Sequence, residues 1–240
     1  MSERPDLGRL RLTLYIYLDG LTGVLSRNRE LVKVQSTTFG TVQSQESEVQ
    51  SDLGQFYTNS GLVIDNPETV NLVFVNPIFH LTNNGQLETY KNRLPAFLLY
   101  HKEFFNVPVC HDHIAQLLNR ELTVWQDENQ RPALWFHLRK NILFVSFCTS
   151  TGEVSITSFE VQKTLDVYYY ILFNVQTLER VIPDLDQIVV SGELVNMDKI
   201  HNFFAENMPD KSLTSYWQWN NLWGKPPVRL NPYFPEVNIK

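Results

Sequence analysis

Cys110, His111, Asp112 and His113 put a thiol, two imidazoles and a carboxylate in four consecutive positions, and thiolate and imidazole are good zinc ligands. At a strand-to-helix junction, however, successive side chains point in different directions, and no second CxxC or HxxxH pair is available to complete a tetrahedral set. Asp112 is better accounted for as a residue that starts a helix. No GxSxG, HExxH or Walker-type run occurs, and the acidic pairs are scattered. The residues alone therefore assign no catalytic group and no metal. Tyr168, Tyr169 and Tyr170 offer stacking surfaces, although on a helix two of the three turn inward. Trp217, Trp219 and Trp223 in the tail read as an edge strand packed on the body, or else as an apolar anchor for a partner.

Composition bounds what these residues can serve. The chain has 240 residues, 43% hydrophobic and 19% charged, with a formal net charge of -6. That is a globular composition, enough for one large domain or two of about 120 residues. A net negative chain is poorly suited to neutralising phosphates, so no nucleic-acid partner is expected. The start, MSERPDLGRL, is charged rather than apolar, and no run of about 18 apolar residues is present. With only two cysteines, the expectation is a cytoplasmic protein without a membrane span.

The elements that position these residues come in two similar series. Leu10, Leu12, Leu14, Ile16 and Leu18 alternate with Arg11, Thr13, Tyr15 and Tyr17, the period-two pattern of a strand with one apolar face. Returning strands follow at residues 21–26 and 31–38. Val49, Leu53 and Phe56 mark a helix over 45–60 stopped by Gly61, and TVNLVFV at 69–75 reads as a strand buried on both faces. Residues 77–94 read as a surface excursion, 95–105 as a helix, 107–110 as a short strand, and 112–121 as a second helix. The polar QDENQ at 126–130 is the expected boundary between a subdomain at 1–127 and another at 128–240 that carries the aromatic tail.

After that boundary the order repeats. Leu134, Phe136 and Leu138 alternate, residues 142–148 return, and 154–159 form a third strand. Thr164 is the expected N-cap of a helix whose buried stripe is Leu165, Tyr168, Leu172, Val175, Leu178 and Ile182. A strand at 187–190 and a helix at 197–207 complete the series.

Twice three antiparallel strands, a helix, a strand and a helix resembles the duplicated actin-like, ribonuclease H-like fold, an α/β class with mixed sheets. The sequence is more closely similar to an uncharacterised family of Bacteroidetes proteins with an actin-like ATPase fold. The likeness is carried by Asp19-Gly20-Leu21-Thr22, NLVFVNPIF at 71–79, HDHIAQLL at 111–118, FEVQKTLDVYYYILFNVQTL at 159–178 and VVSGEL at 189–194.

The resemblance implies where a ligand would sit. Actin-like ATPases hold phosphates between two hairpin turns, one per half, each with an Asp and glycines. Here LDGLTGVL at 18–25 matches in part, with Asp19, Gly20, Thr22 and Gly23. The second turn, at 137–141, carries Arg139 and Lys140 but neither Asp nor Gly. The adenosine-binding glycine pair is reduced to Ser191-Gly192-Glu193. Cleft candidates are thus Asp19, Gly20, Thr22, Lys140, Ser191 and Gly192, with no catalytic residue among them. The expected function is a non-catalytic binding scaffold with an unknown protein partner and no cofactor. The alternatives are an ATP-binding protein using magnesium in the cleft between the halves, and a self-associating assembly subunit.

Overall fold

In the computed structural model the residues described are 10–17, 20–27, 30–38, 54–60, 67–77, 79, 107–182, 184–196 and 199–215. They fall into two compact units, one formed by residues 1–76 with 89–114 and the other by 77–88 with 115–240.

In the first unit, β1 (Leu10–Tyr17), β2 (Gly20–Arg27) and β3 (Glu30–Thr38) form an antiparallel meander. A helix, α1, covers residues 54–60. β4 (Thr69–Phe74) then returns parallel to β1, and β5 (Val109–His113) parallel to β4, giving the order β3-β2-β1-β4-β5. Leu10, Leu12, Leu14 and Ile16 share one face of β1 and pack with Phe56 and Tyr57 of α1. Thr13, Tyr15 and Tyr17 on the opposite face are buried as well. β1 therefore has two covered faces, not the single apolar face its alternation predicts. It is the middle strand of five, and two tyrosines supply enough apolar ring for the second face to pack.

The second unit contains α2 (Ile114–Asn129) from residue 115 onward and repeats the topology with β6 (Ala133–Arg139), β7 (Ile142–Cys148), β8 (Val154–Glu160), α3 (Thr164–Glu179), β9 (Gln187–Gly192), α4 (Ile200–Asn207) and β10 (Ser212–Ser215). Its order, β10-β9-β6-β7-β8, is that of the first sheet read from the other edge. In each sheet the first strand is antiparallel to the second and parallel to the fourth. This is the duplicated α/β architecture the order of elements predicts. Leu134, Phe136 and Leu138 of β6 pack with Leu143, Val145, Ile188 and Val190 under Val167, Ile171 and Val175 of α3 and Ile200 and Phe204 of α4. Burying each such side chain contributes roughly 1.5–3 kcal/mol.

Several local expectations are corrected. Asp112 lies in β5 and not at a helix start, because the pairing of Val70 with Val109 continues in register to Phe74 with His113. The following helix does not stop near Glu121 but runs through the polar stretch to Asn129. Gln126 is buried there, and its amide donates to the carbonyls of Thr149 (3.1 Å) and Ser150 (2.9 Å). A polar residue with its donors satisfied continues the inward stripe of Leu118 and Leu122. Gln130, at φ 54, ends it.

On α3 the buried residues are Val167, Ile171, Asn174 and Val175, while Leu165 is 67% exposed. Of the expected stripe, Val175 and Ile182 are buried and Tyr168, Leu172 and Leu178 pack partly buried against the core, so the inward face extends toward Val167 and Ile171 and Leu165 alone falls outside it. The N-cap is Lys163, and the Asp166 carboxylate accepts the N–H groups of Gln162 (2.9 Å) and Lys163 (3.1 Å), leaving Thr164 as the first helical residue. Asp19, residues 45–53 of the first expected helix, the helix at 95–105, residues 80–94 of the excursion and the tail with Trp217, Trp219 and Trp223 lie outside the described residues.

Candidate functional site

The second unit gathers its polar groups where β6 and β9 end side by side. Residues 135, 137 and 139 point away from the core formed by Leu134, Phe136 and Leu138, because alternate residues of a strand face opposite sides. Trp135, His137 and Arg139 are nevertheless all buried, as is Ser191, which the parallel register sets beside His137. The Trp135 indole N–H donates to Ser191 Oγ at 2.7 Å, and His137 Nδ1 lies 2.8 Å from the same oxygen. One hydroxyl thus joins two rings on the neighbouring strand. Burial, and then the nearby Arg139 charge, hold the His137 pKa well below the ordinary histidine value. The imidazole is therefore neutral at neutral pH.

Gly192 makes the next step possible. It has φ +67, and a Cβ there would run into the Leu138 carbonyl and stand 3.1 Å from His137 Cε1. Only glycine meets both demands. The close approach delivers Glu193, first residue of a short 3-10 turn, to the β6–β7 hairpin. There the Lys140 backbone N–H donates to Glu193 Oε1 at 2.8 Å, and Lys140 itself sits at φ 48. The amide nearest the two cations of this turn thus already has an anionic acceptor within its own unit. In this structure the Lys140 amide is bound to a carboxylate, the Ser191 hydroxyl is held between two rings, and Gly192 is packed against backbone.

In the first unit, Gly20 packs against the Thr37 carbonyl so closely that no Cβ fits. Thr22 and Ser36 hydroxyls are 2.9 Å apart across β2 and β3. Both residues have roles in holding the strands together. Asp19 lies outside the described residues.

At the end of β5, His113 Nε2 is 3.4 Å from Asn76 Oδ1, and the Asp112 carboxylate accepts the His113 backbone N–H at 2.9 Å. Cys110 is an exposed free thiol; Cys148 is buried, and burial pushes its thiol up to about 11. No group of three metal-ligating side chains forms among the described residues. Trp135 and His137 were not legible as polar-network residues from the apolar alternation of Leu134, Phe136 and Leu138. The signal was the other set of positions, Trp135, His137 and Arg139, which is unusually polar for a central strand.

No protein-family model matches the sequence, and no curated protein matches it either. Solved structures do match in fold. A Bacteroides thetaiotaomicron protein with actin-like ATPase fold and unknown function superposes with TM-score 0.60 at 13% identity, over 94% of this chain and 100% of that one. The chain has the actin-like ATPase fold. A chain of the PilM–PilN type IV pilus biogenesis complex matches at TM-score 0.55 and 13% identity, over 95% of this chain and 96% of the other. A ROK family protein from Streptococcus pneumoniae, solved with sucrose, matches at TM-score 0.50 and 8% identity over 95% and 97%. At these identities the likeness speaks for the actin-like framework and not for an activity. Among the described residues, no helix of this actin-like chain is long and apolar enough to cross a membrane.

Proposed function

We propose that this protein is a non-catalytic, cytoplasmic binding scaffold built on the actin-like framework, and that its partner is another protein. The observation carrying this reading is the hydrogen bond from the Lys140 N–H to the Glu193 carboxylate. Phosphoryl chemistry depends on amides and cations held ready for phosphate oxygens. A carboxylate of the chain itself on that amide adds both steric bulk and like charge against an incoming phosphate. Ser191 and Gly192, engaged by Trp135, His137 and Leu138, support the same reading. The fold's occurrence in the PilM–PilN complex gives a precedent for it serving protein assembly, and the free thiols of Cys110 and Cys148 suit a reducing compartment.

Calorimetry with ATP and magnesium tests the proposal. The expected result is no binding tighter than about 1 mM, which is roughly 4 kcal/mol of binding free energy. Micromolar binding that is lost in Asp19→Ala sinks the scaffold reading in favour of a nucleotide-binding protein.

A further inference from the structure

We infer that the outer edge of β3, over residues 34–38, is a docking groove for a short extended segment of a partner protein, which adds to the first sheet as a further strand. β3 is the terminal strand of its sheet and pairs with β2. Among the described residues, its backbone makes no hydrogen bond to anything else. Such an edge presents a row of N–H and C=O groups whose chemical complement is another extended backbone. The strand is largely open to solvent: Leu31, Val32, Val34, Gln35, Ser36 and Thr38 are exposed, and Lys33 and Thr37 half-buried.

A cavity of about 270 Å³ lies along this edge, lined by residues 35–38 of β3 and by Gln55, Phe56, Asn59 and Ser60 of α1. Alternate strand residues point to opposite faces. Four consecutive residues in the lining bring the backbone of this terminal strand into the cavity wall beside α1. The lining side chains are amides, hydroxyls and one ring, with no charge. A charged side chain entering it would lose hydration without gaining a counter-ion, whereas neutral residues and a main chain find donors and acceptors.

The strand's two halves differ. Between Leu25 and Ser26 the β2–β3 register shifts, leaving Val32 as an extra residue, and Lys33 follows. A bulge and a lysine are common devices for blocking an edge. They leave residues 34–38 in regular register with β2, an open length of about 17 Å. Two copies of the chain paired along the whole of β3 would engage the bulge and Lys33 of each; a short segment needs only the regular half. That difference favours a partner's segment over a second copy.

The inference rests on the scaffold reading in taking the partner to be a protein, and its test is separate from ATP binding. The probes are blocked peptides of about six alternating threonines and valines, unmodified or N-methylated at odd or at even positions. Amide NMR shifts of the full chain provide the readout. The unmodified peptide is expected to produce saturable shifts at residues 34–38 and at the Asn59 side chain. One methylation phase should weaken binding by about tenfold or more, and the other should leave it nearly unchanged, because only one edge of the peptide faces β3. Asn59→Asp should weaken the peptide while leaving the thermal melt unchanged. Absence of shifts, shifts centred elsewhere, or equal effects of the two methylation phases would each overturn the inference. Concentration-dependent dimerisation that broadens these same amides without peptide would overturn it in favour of a second copy. If neither ATP nor peptide binds, the docking inference fails while the scaffold reading survives.

Discussion

His113 Nε2 stands 3.4 Å from Asn76 Oδ1, in the first unit where β5 ends and the chain has just left β4. His113 is 2% exposed, and burial lowers its pKa from 6.5 to about 4, with a hydrogen bond to the Asn76 backbone acting in the opposite direction. The folded state therefore holds His113 neutral at pH values where the unfolded chain protonates it. Stability from this group is fully present above about pH 6.5 and is lost as pH falls toward 4, because the unfolded state then binds the extra proton. Between pH 7.5 and 4.5 the loss attributable to His113 is roughly 2–3 kcal/mol. Urea unfolding of His113→Gln should show a correspondingly smaller fall over that range. A variant with the wild-type pH slope would remove His113 from the account.

The two glycines that close the candidate sites should be intolerant of any side chain. Gly192→Ala places a Cβ against the Leu138 carbonyl at φ +67, so it should destabilise by more than the 1–2 kcal/mol that a left-handed conformation alone costs. Gly20→Ala meets the Thr37 carbonyl and should also be destabilising, without a positive φ. Gly152 has φ +90 but open space around it, so Gly152→Ala isolates the conformational cost. Chemical melts that rank Gly152→Ala as the most damaging would contradict the packing described.

The three meander strands of each unit were legible because residues such as Leu12 and Leu14, or Leu134 and Phe136, alternate, and because Gly20, Asn141 and Gly152 fall in or beside the turns between them, whereas the short β10 (Ser212–Ser215) carries no such apolar alternation and was not legible. Helix limits were less so. Polar Gln126 looks like linker in sequence, yet its amide is satisfied by two carbonyls that come from the next hairpin. Periodicity registers apolarity, not a hydrogen bond 23 residues away. The same blindness hid the Trp135–Ser191–His137 contacts, since these residues are 54 and 56 positions apart in sequence.

The inward face of α3 gives a direct test of how it packs. Ile171 is fully buried in the second-unit core, whereas Tyr169 is 61% exposed. Ile171→Ala should cost roughly 2–5 kcal/mol through the cavity it leaves. Tyr169→Ala should stay within about 0.5 kcal/mol of wild type, as surface changes usually do. Leu172 and Tyr170 both lie partly buried against the core and should fall between these limits. Denaturant titration of the four variants orders them, and a large effect at Tyr169 would mean that this face is covered.

The hydrogen bond between Lys140 and Glu193 should be detectable as protection of a single amide. The turn is short, Lys140 is held at φ 48, and its N–H points to Glu193 Oε1 at 2.8 Å. A bond to a charged acceptor contributes about 1.5–3 kcal/mol, but this one is only half-buried, so solvent screening puts it at the lower end. Glu193→Ala should therefore cost about 1–2 kcal/mol and accelerate hydrogen exchange at the Lys140 amide. Glu193→Gln keeps an acceptor of the same reach without the charge, so it should retain most of the protection and cost less than about 1 kcal/mol. Neighbouring amides in β6 and β7 belong to the sheet and should exchange as in wild type. If the Lys140 amide exchanges equally fast in wild type and Glu193→Ala, the carboxylate does not hold the turn, and the observation that carries the scaffold reading is lost.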